Sequence, residues 1–374
     1  MKTFITTVCV VLLAASASAQ FGQVLGGLQK AKEVKDAVDT LIFTEAEERE
    51  LGEKVSELLR DKYGVVQDKA VHKYVALVGS VLAASSSRPN LSWTFIVLDT
   101  DGVNAFATPG GFVHVTRGAL ALMQNEAELA GVLGHEISHV TGKHTVNAIK
   151  KNKLVEVGAS MSRNAIVEAA ASKTYEVLLE NAYDRGDEMD ADKNGATLAN
   201  GARYAPAGIG AFLTRLSDRN KDLKDRSGLF ASHPDTKARL DALTKLIASQ
   251  KLNATATAAA RYRQFITFTP VAVTAIASGE AGASGLTGSA PAKAPAKKAE
   301  KAEEKPQDKQ PAASRFGLGG LNPLGREKAQ TQTVASGGSR GVNPDRDARG
   351  GSNSTLVTAP VTPAEIAEFR KGIV

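Results

Sequence analysis

Apolar residues recur every three to four positions over much of the chain, which is the period of a helix with one buried face. Thr44 begins one such run with a capping box, because its hydroxyl can accept from the amide of Glu47 while the Glu47 side chain reaches back. Asp68 can cap a second run, and helical spacing resumes at residue 118 and continues, with breaks, to about residue 249. The pattern therefore predicts a mainly helical protein.

Between residues 93 and 116 the pattern becomes that of short strands. Residues 93–98 are rich in β-branched and aromatic side chains, and residues 104–107 and 112–116 are interpreted as two more short strands on either side of a Pro-Gly-Gly turn. A last strand is expected at residues 264–268. The predicted fold class is therefore α+β, with a small antiparallel sheet beside the helices.

The first residues have the pattern of a targeting signal. Lys2 is followed by an apolar run at 4–15, too short to span a bilayer, and then by small residues that end at Ala19. We expect a signal peptide over residues 1–19, cleaved after Ala19; an uncleaved membrane anchor is the alternative. Cleavage would remove Cys9, the only cysteine. The chain is therefore predicted to be exported and periplasmic, with secretion as the second choice.

The C-terminal part changes composition. Phe316 is the only aromatic residue between Val271 and Pro360, and the segment consists mainly of Ala, Gly, Ser, Pro, Lys and Glu. Such a segment cannot bury enough apolar surface to offset its ordering entropy, so a disordered linker is expected. Thr362 then begins a second capping box, which predicts a short final helix. The expected organisation is a signal peptide at 1–19, a domain at 20–270, a low-complexity linker at 271–360 and a helix at 361–374.

Charge narrows the choice of partners only slightly. The chain has 46 Lys and Arg against 40 Asp and Glu, for a formal charge of +6, and 43% of its residues are hydrophobic. Basic and acidic residues alternate in most segments, so no dense basic stripe exists and no nucleic-acid partner is predicted.

The chemistry concentrates in one predicted helix. His135 and His139 are four residues apart, so both imidazoles project from the same helical face and can hold one metal ion. Glu136 lies about 100° around the helix from His135, where it can act as a general base toward a water molecule. This HExxH arrangement predicts a metal-dependent hydrolase.

A catalytic zinc site usually takes three protein ligands. His144 follows Gly142 but is one position short of the HExxHxxGxxH pattern, whose last place is filled by Thr145. The better candidates are Glu188 and Asp192, one helical turn apart, because one carboxylate can bind the metal while the other orients a ligating histidine. A solvated acidic helix face is the alternative for these two residues.

Four blocks give the chain a specific resemblance to the HtpX-like and CAAX-prenyl-protease-like zinc metalloendopeptidases, metallopeptidase family forty-eight, and above all to the soluble periplasmic members. The blocks cover roughly residues 40–250 and are residues 104–111 with 115–118, residues 135–139, residues 188–192, and Ser232-His233-Pro234 with Arg239.

The resemblance implies a zincin-like fold, with the sheet beside the HExxH helix and one Zn²⁺ per chain. It implies Glu188 as the third ligand and Asp192 as the carboxylate that holds a ligating histidine. It also places His233 near the metal, where the imidazole could donate to the oxyanion or occupy the open position of the zinc in a resting state.

These expectations combine into a zinc endopeptidase of the cell envelope that hydrolyses unfolded or misfolded proteins. The substrate would add as a strand beside Asn104, Ala105, Phe106 and Ala107. The alternative is an envelope binding or chaperone-like module that keeps the fold and recruits a membrane-proximal or envelope partner through its tail. The sequence leaves the oligomeric state open.

Overall fold

A computed structural model describes residues 43–151, 162–180, 183–220, 236–272 and 353–374. Three of the sequence predictions fall outside these ranges: the signal peptide at 1–19, His233, and the linker from 273 to 352. The described helices, numbered in chain order, are α1 Glu45–Tyr63, α2 Lys69–Ala83, α3 Arg117–Leu122, α4 Glu126–Thr141, α5 His144–Lys151, α6 Arg163–Glu180, α7 Arg185–Gly201, α8 Gly208–Asn220, α9 Thr236–Ser249, α10 Ala259–Phe265 and α11 Pro363–Lys371.

The helix starts that the sequence predicted are present. Thr44 and Glu47 form both hydrogen bonds of the capping box at the start of α1. Asp68 caps α2, where its carboxylate accepts from the amides of Ala70 and Val71. Capping succeeds as a prediction because the groups involved are within three residues of one another along the chain.

The three strands are β1 Thr94–Leu98, β2 Ala105–Thr108 and β3 Phe112–Thr116, and β3 lies in the middle of the sheet. The prediction of an antiparallel sheet is correct for β2 and wrong for β1. β2 pairs antiparallel with β3, but β1 pairs parallel with it, so the sheet is mixed. The reason is that the chain turns back twice after β1, once before β2 and once at a single turn of 3₁₀ helix, Pro109–Gly111, and so re-enters the sheet in its original direction.

Helix α4 runs through the centre of the domain and packs against α2, α7, α8 and the sheet. All of its residues from Glu126 to Val140 are buried. Two glycines allow its closest approaches: a Cβ on Gly131 would lie 2.5 Å from the amide nitrogen of Ile209, and one on Gly134 would lie 2.9 Å from the carbonyl oxygen of Gly195. The neighbouring helices can therefore contact the backbone of α4 directly.

The strand expected at residues 264–268 is not formed. Residues 264 and 265 belong to α10, and residues 266–268 have no strand pairing. Tyr262 and Ile266 are four positions apart and both are buried, so the helical period places them on one core-facing side. The apolar and aromatic content at 264–268 thus reflects a short helix and its end rather than a strand.

The last described segment lies against the domain. Residues 353–360 fall within the expected linker, yet the carbonyl of Asn353 accepts from the amide of Val65 at 2.7 Å and Leu356 packs against the core cluster beside α1. Helix α11 follows, with the predicted capping box at Thr362 and an ion pair of 2.8 Å between Lys73 of α2 and Glu365. None of the helices in the described part of the chain combines the length and apolarity needed to cross a membrane.

Candidate metal centre

The crossing of α4 and α7 brings the predicted metal-binding residues together. At the crossing, Gly134 faces Gly195, and a Cβ on Gly195 would lie 2.7 Å from the amide nitrogen of His135. Because neither residue has a side chain, the two helix backbones approach closely enough for side chains one turn away to meet. Asp184 caps α7 by accepting from the amide of Asp187, which fixes where the helix begins.

His135, His139 and Glu188 form a buried cluster in which one ligand atom from each side chain lies within 4.8 Å of the others. The Nε2 atoms of the two histidines are 3.0 Å apart. The Glu188 carboxylate lies 3.4 Å from Nε2 of His139 and 3.7 Å from Nε2 of His135. Three atoms that can each donate a lone pair therefore face one point inside the protein.

Asp192 holds the outer side of the first histidine. Its Oδ1 lies 2.9 Å from Nδ1 of His135, so a proton on Nδ1 is shared with a carboxylate and Nε2 is left to face the cluster. Burial alone would raise the pKa of Asp192, but hydrogen bonds from Arg239 and His135 outweigh it and lower the pKa to about 2. The carboxylate is thus kept ionised where it orients His135.

Arg239 of α9 connects the two carboxylates. Its Nε and Nη2 each donate to Asp192 at 2.7 Å, and its Nη1 lies 2.8 Å from Oε2 of Glu188. Burial would lower the pKa of Arg239, but the charges of Asp192 and Glu188 outweigh it and raise that pKa. One planar guanidinium therefore fixes both the candidate third ligand and the carboxylate behind His135.

Glu136 lies in the same buried space. Its side chain is 1% exposed. Burial raises the pKa of the Tyr183 hydroxyl, and the nearby charge of Glu136 raises it further. The same charge contributes to the raised pKa of Arg239. Arg239 also lies against Glu188 and Tyr183 also stacks on His139, so Glu136 shares its neighbours with the ligand cluster, as a general base at this site would.

Charge supports a cation at this place. Three carboxylates, Glu136, Glu188 and Asp192, are buried here together with one guanidinium, Arg239, so among these four side chains the acidic groups exceed the basic one by two. A divalent cation would balance that excess, and two imidazoles with one carboxylate are a usual donor set for catalytic zinc. The residues present therefore fit a zinc ion.

The strand predicted from Asn104 to Ala107 differs by one residue from the observed strand β2, Ala105–Thr108. β2 begins at Ala105, and Asn104 precedes it, with its amide donating to the hydroxyl of Thr116 at 3.0 Å. β2 lies at an edge of the described sheet, and its faces are covered because Phe106 belongs to one core cluster while Ala105 and Ala107 belong to the other.

Sequence reasoning gave no role to three residues that the structure places at the site: Arg239, Tyr183 and His144. Arg239 entered only as part of a matching block, and His144 was set aside as a third ligand because it is one position short of the HExxHxxGxxH pattern. In the structure His144 is 5% exposed and contacts His139. The sequence signal for this contact was Gly142, because a side chain at that position would occupy the space of the His144 ring. His233, predicted to lie near the metal, is outside the described residues.

Two histidines one turn apart on a buried helix, with a glutamate between them and a third ligand on a crossing helix, define the zincin-like class of metallopeptidases.

Comparison with known proteins agrees with that class. Residues 69–247 match the model of peptidase family M48, and the chain therefore contains a peptidase family M48 domain.

Three relatives illustrate the similarity. The chain is 25% identical to the beta-barrel assembly-enhancing protease of Escherichia coli (strain K12) over 57% of its own length and 48% of the relative. It is 26% identical to the mitochondrial metalloendopeptidase OMA1 of Arabidopsis thaliana over 47% of the chain and 36% of the relative. It is 27% identical to the protease HtpX homolog of Dictyoglomus thermophilum over 48% of the chain and 72% of the relative. The chain thus spans about half the length of the beta-barrel assembly-enhancing proteases that it matches.

Proposed function

We propose that this chain is a zinc-dependent endopeptidase that hydrolyses unfolded or misassembled proteins of the cell envelope. The observation that carries the proposal is the buried cluster of His135, His139 and Glu188 beside Glu136. A binding module has no need for a glutamate that directly follows a metal-ligating histidine, whereas metal-assisted hydrolysis needs a general base at that place.

The side chains have distinct parts in the proposed reaction. A bound zinc ion would polarise the scissile carbonyl and lower the pKa of water to around 7. Glu136 accepts a proton from the attacking water and delivers it to the amine of the leaving peptide. Asp192 keeps His135 in the orientation and tautomer that direct Nε2 toward the cluster, and Arg239 holds Glu188 in place.

The substrate class follows from a backbone-directed mode of binding. An extended peptide that adds to the edge of β2 is held by main-chain hydrogen bonds, which any unfolded segment can provide. The name of the Escherichia coli relative refers to beta-barrel assembly, and the N-terminal pattern of this chain is that of an exported protein. These features support a periplasmic protease of envelope proteins with one zinc ion per chain.

Cleavage of labelled casein by the purified chain from residue 20 tests the proposal. We expect cleavage that a zinc chelator abolishes and added zinc restores. Glu136→Gln should lower the rate by about 10²- to 10⁴-fold because it removes the base, while zinc content and the melting temperature stay at wild-type values. Glu57→Gln, an exposed change on α1, is the matched control and should cleave normally. Cleavage that survives the chelator, or that survives in Glu136→Gln, would contradict the proposal.

A further inference from the structure

His144 contacts the outer nitrogen of a candidate zinc ligand. Its Nδ1 lies 3.0 Å from Nδ1 of His139, whose Nε2 faces His135 and Glu188 in the cluster. The His144 ring is buried, and the two rings meet edge to face with centroids 5.0 Å apart. The contact is therefore on the side of His139 that points away from the metal-binding point.

The backbone before His144 is shaped to make this contact. α4 ends at Thr141, and Lys143 then has a φ of +54°, a left-handed conformation that is unfavourable for a residue other than glycine. A Cβ on Gly142 would lie 2.3 Å from Nε2 of His144, so only glycine leaves room for the ring. The chain thus turns back sharply and returns His144 to the end of the helix that it has just left.

The surroundings of His144 decide which of its nitrogens accepts. Its Nε2 faces two carboxylates of α7, at 3.6 Å from Oδ2 of Asp190 and 3.9 Å from Oδ1 of Asp187. These acidic neighbours favour a proton on Nε2, which leaves Nδ1 as the acceptor. The Nδ1–H group of His139 then donates to His144, and the lone pair of His139 Nε2 is directed into the cluster.

We propose that His144 is a positioning residue, which fixes the tautomer and the ring orientation of His139 for metal binding. The inference rests on the proposed function, since it requires that the cluster binds zinc. His144 does for His139 what Asp192 does for His135, but with a neutral acceptor in place of a carboxylate. Tyr183, whose ring stacks on His139 with centroids 4.0 Å apart, restrains the same ring from its face.

The first test measures zinc affinity of the metal-free chain by competition with a fluorescent chelator. His144→Phe keeps an aromatic ring but removes the acceptor, and we expect it to weaken zinc binding about 10- to 100-fold, as for other partners of ligating histidines. His144→Asn places a side-chain oxygen near the position of Nδ1, so it should recover most of the affinity. Equal weakening in both variants, or wild-type affinity in His144→Phe, would overturn the proposal.

His72→Phe is the matched control. His72 is another buried histidine, whose Nε2 contacts the carbonyl of Val66 at 2.9 Å, away from the cluster. It should lower the stability of the fold but leave zinc affinity unchanged, so weaker zinc binding in this control would show that His144→Phe acts through general destabilisation. A wild-type chain that does not bind zinc would instead contradict the proposed function and is distinguishable from both results.

A second measurement does not depend on how well the variants fold. Nitrogen-15 NMR of the imidazole rings in the zinc-loaded wild-type chain should show His139 protonated at Nδ1 and His144 protonated at Nε2. The reverse protonation in His144, with its proton on Nδ1, would remove the acceptor and overturn the proposal.

Discussion

The two ends of helix α4 each hold a buried group of charged side chains, and the two groups are built in opposite ways. At the N-terminal end, Glu126 accepts hydrogen bonds from the hydroxyls of Tyr74 and Tyr204 and from the guanidinium of Arg261. One acid is matched by one base and two neutral donors. At the other end, carboxylates and imidazoles converge on one point, and three buried carboxylates accompany a single guanidinium, that of Arg239.

The pKa shifts express the same difference. Burial and the charge of Glu126 raise the pKa of Tyr74 and of Tyr204, so both hydroxyls keep their protons and act as donors. Burial would lower the pKa of Arg261, but Glu126 outweighs it and raises that pKa. The N-terminal group therefore pairs its acid with a base and two neutral donors, whereas the metal-centre group gathers three carboxylates around one guanidinium, a set that a divalent cation would balance. Burial of charge alone therefore does not indicate a binding site, whereas an excess of buried groups of one charge does.

The largest expected effect is removal of the third ligand. Glu188→Ala should lose most of the bound zinc and all cleavage activity, because two imidazoles alone hold the metal weakly. Asp190→Asn, on the same helix but with a half-exposed side chain, should keep most of its zinc, because Asp187 still faces Nε2 of His144. Elemental analysis after dialysis against a weak chelator measures the zinc content of both variants. The zinc content of Asp192→Asn should fall between theirs, with zinc affinity lowered on the order of 10- to 100-fold. Loss of metal from Asp190→Asn together with its retention in Glu188→Ala would refute the ligand assignment.

The opposite result is expected at the other end of α4. Glu126→Ala leaves Arg261 and two buried hydroxyls without their acceptor, and should lower the free energy of unfolding by about 3 kcal/mol. Zinc content per folded chain should not change. Urea unfolding measures the first quantity and elemental analysis the second; Glu50→Ala, exposed on α1, serves as the control with no measurable effect. Lower zinc affinity in Glu126→Ala would mean that the two ends are not independent.

The sequence predicts those parts of both regions that depend on near neighbours. The four-residue spacing of His135 and His139 and the capping box at Thr362 are local, so helix geometry alone determines them. Arg239 could not be assigned a role because its carboxylate partner Asp192 is 47 residues away and meets it only when α7 and α9 pack together. The contact of His144 depends on the left-handed backbone at Lys143, which no periodicity indicates.

The parallel pairing of β1 and the docking of residues 353–360 escaped prediction for a related reason. Strand direction depends on how the chain returns to the sheet, and the docked segment is held largely by backbone groups, such as the Asn353 carbonyl on Val65, which carry no compositional signal. Composition identifies what a segment lacks, namely enough apolar surface to fold alone. It does not show which preformed surface the segment can lie against.

The smallest expected effect tests whether helix α11 belongs to the N-terminal group. The ring of Phe369 lies under the guanidinium of Arg261, 4.1 Å from centroid to carbon, and the Phe369 carbonyl accepts from the same side chain at 3.2 Å. Phe369→Ala should lower the free energy of unfolding by about 1 kcal/mol, since the ring is only half-buried and its contact with a cation is partly solvated. Because Glu126 positions Arg261 from the other side, the two losses should not add: the double variant Glu126→Ala/Phe369→Ala should be more stable than the sum of the single changes predicts. Urea unfolding of the four proteins gives the coupling, and strictly additive losses would place α11 outside the group.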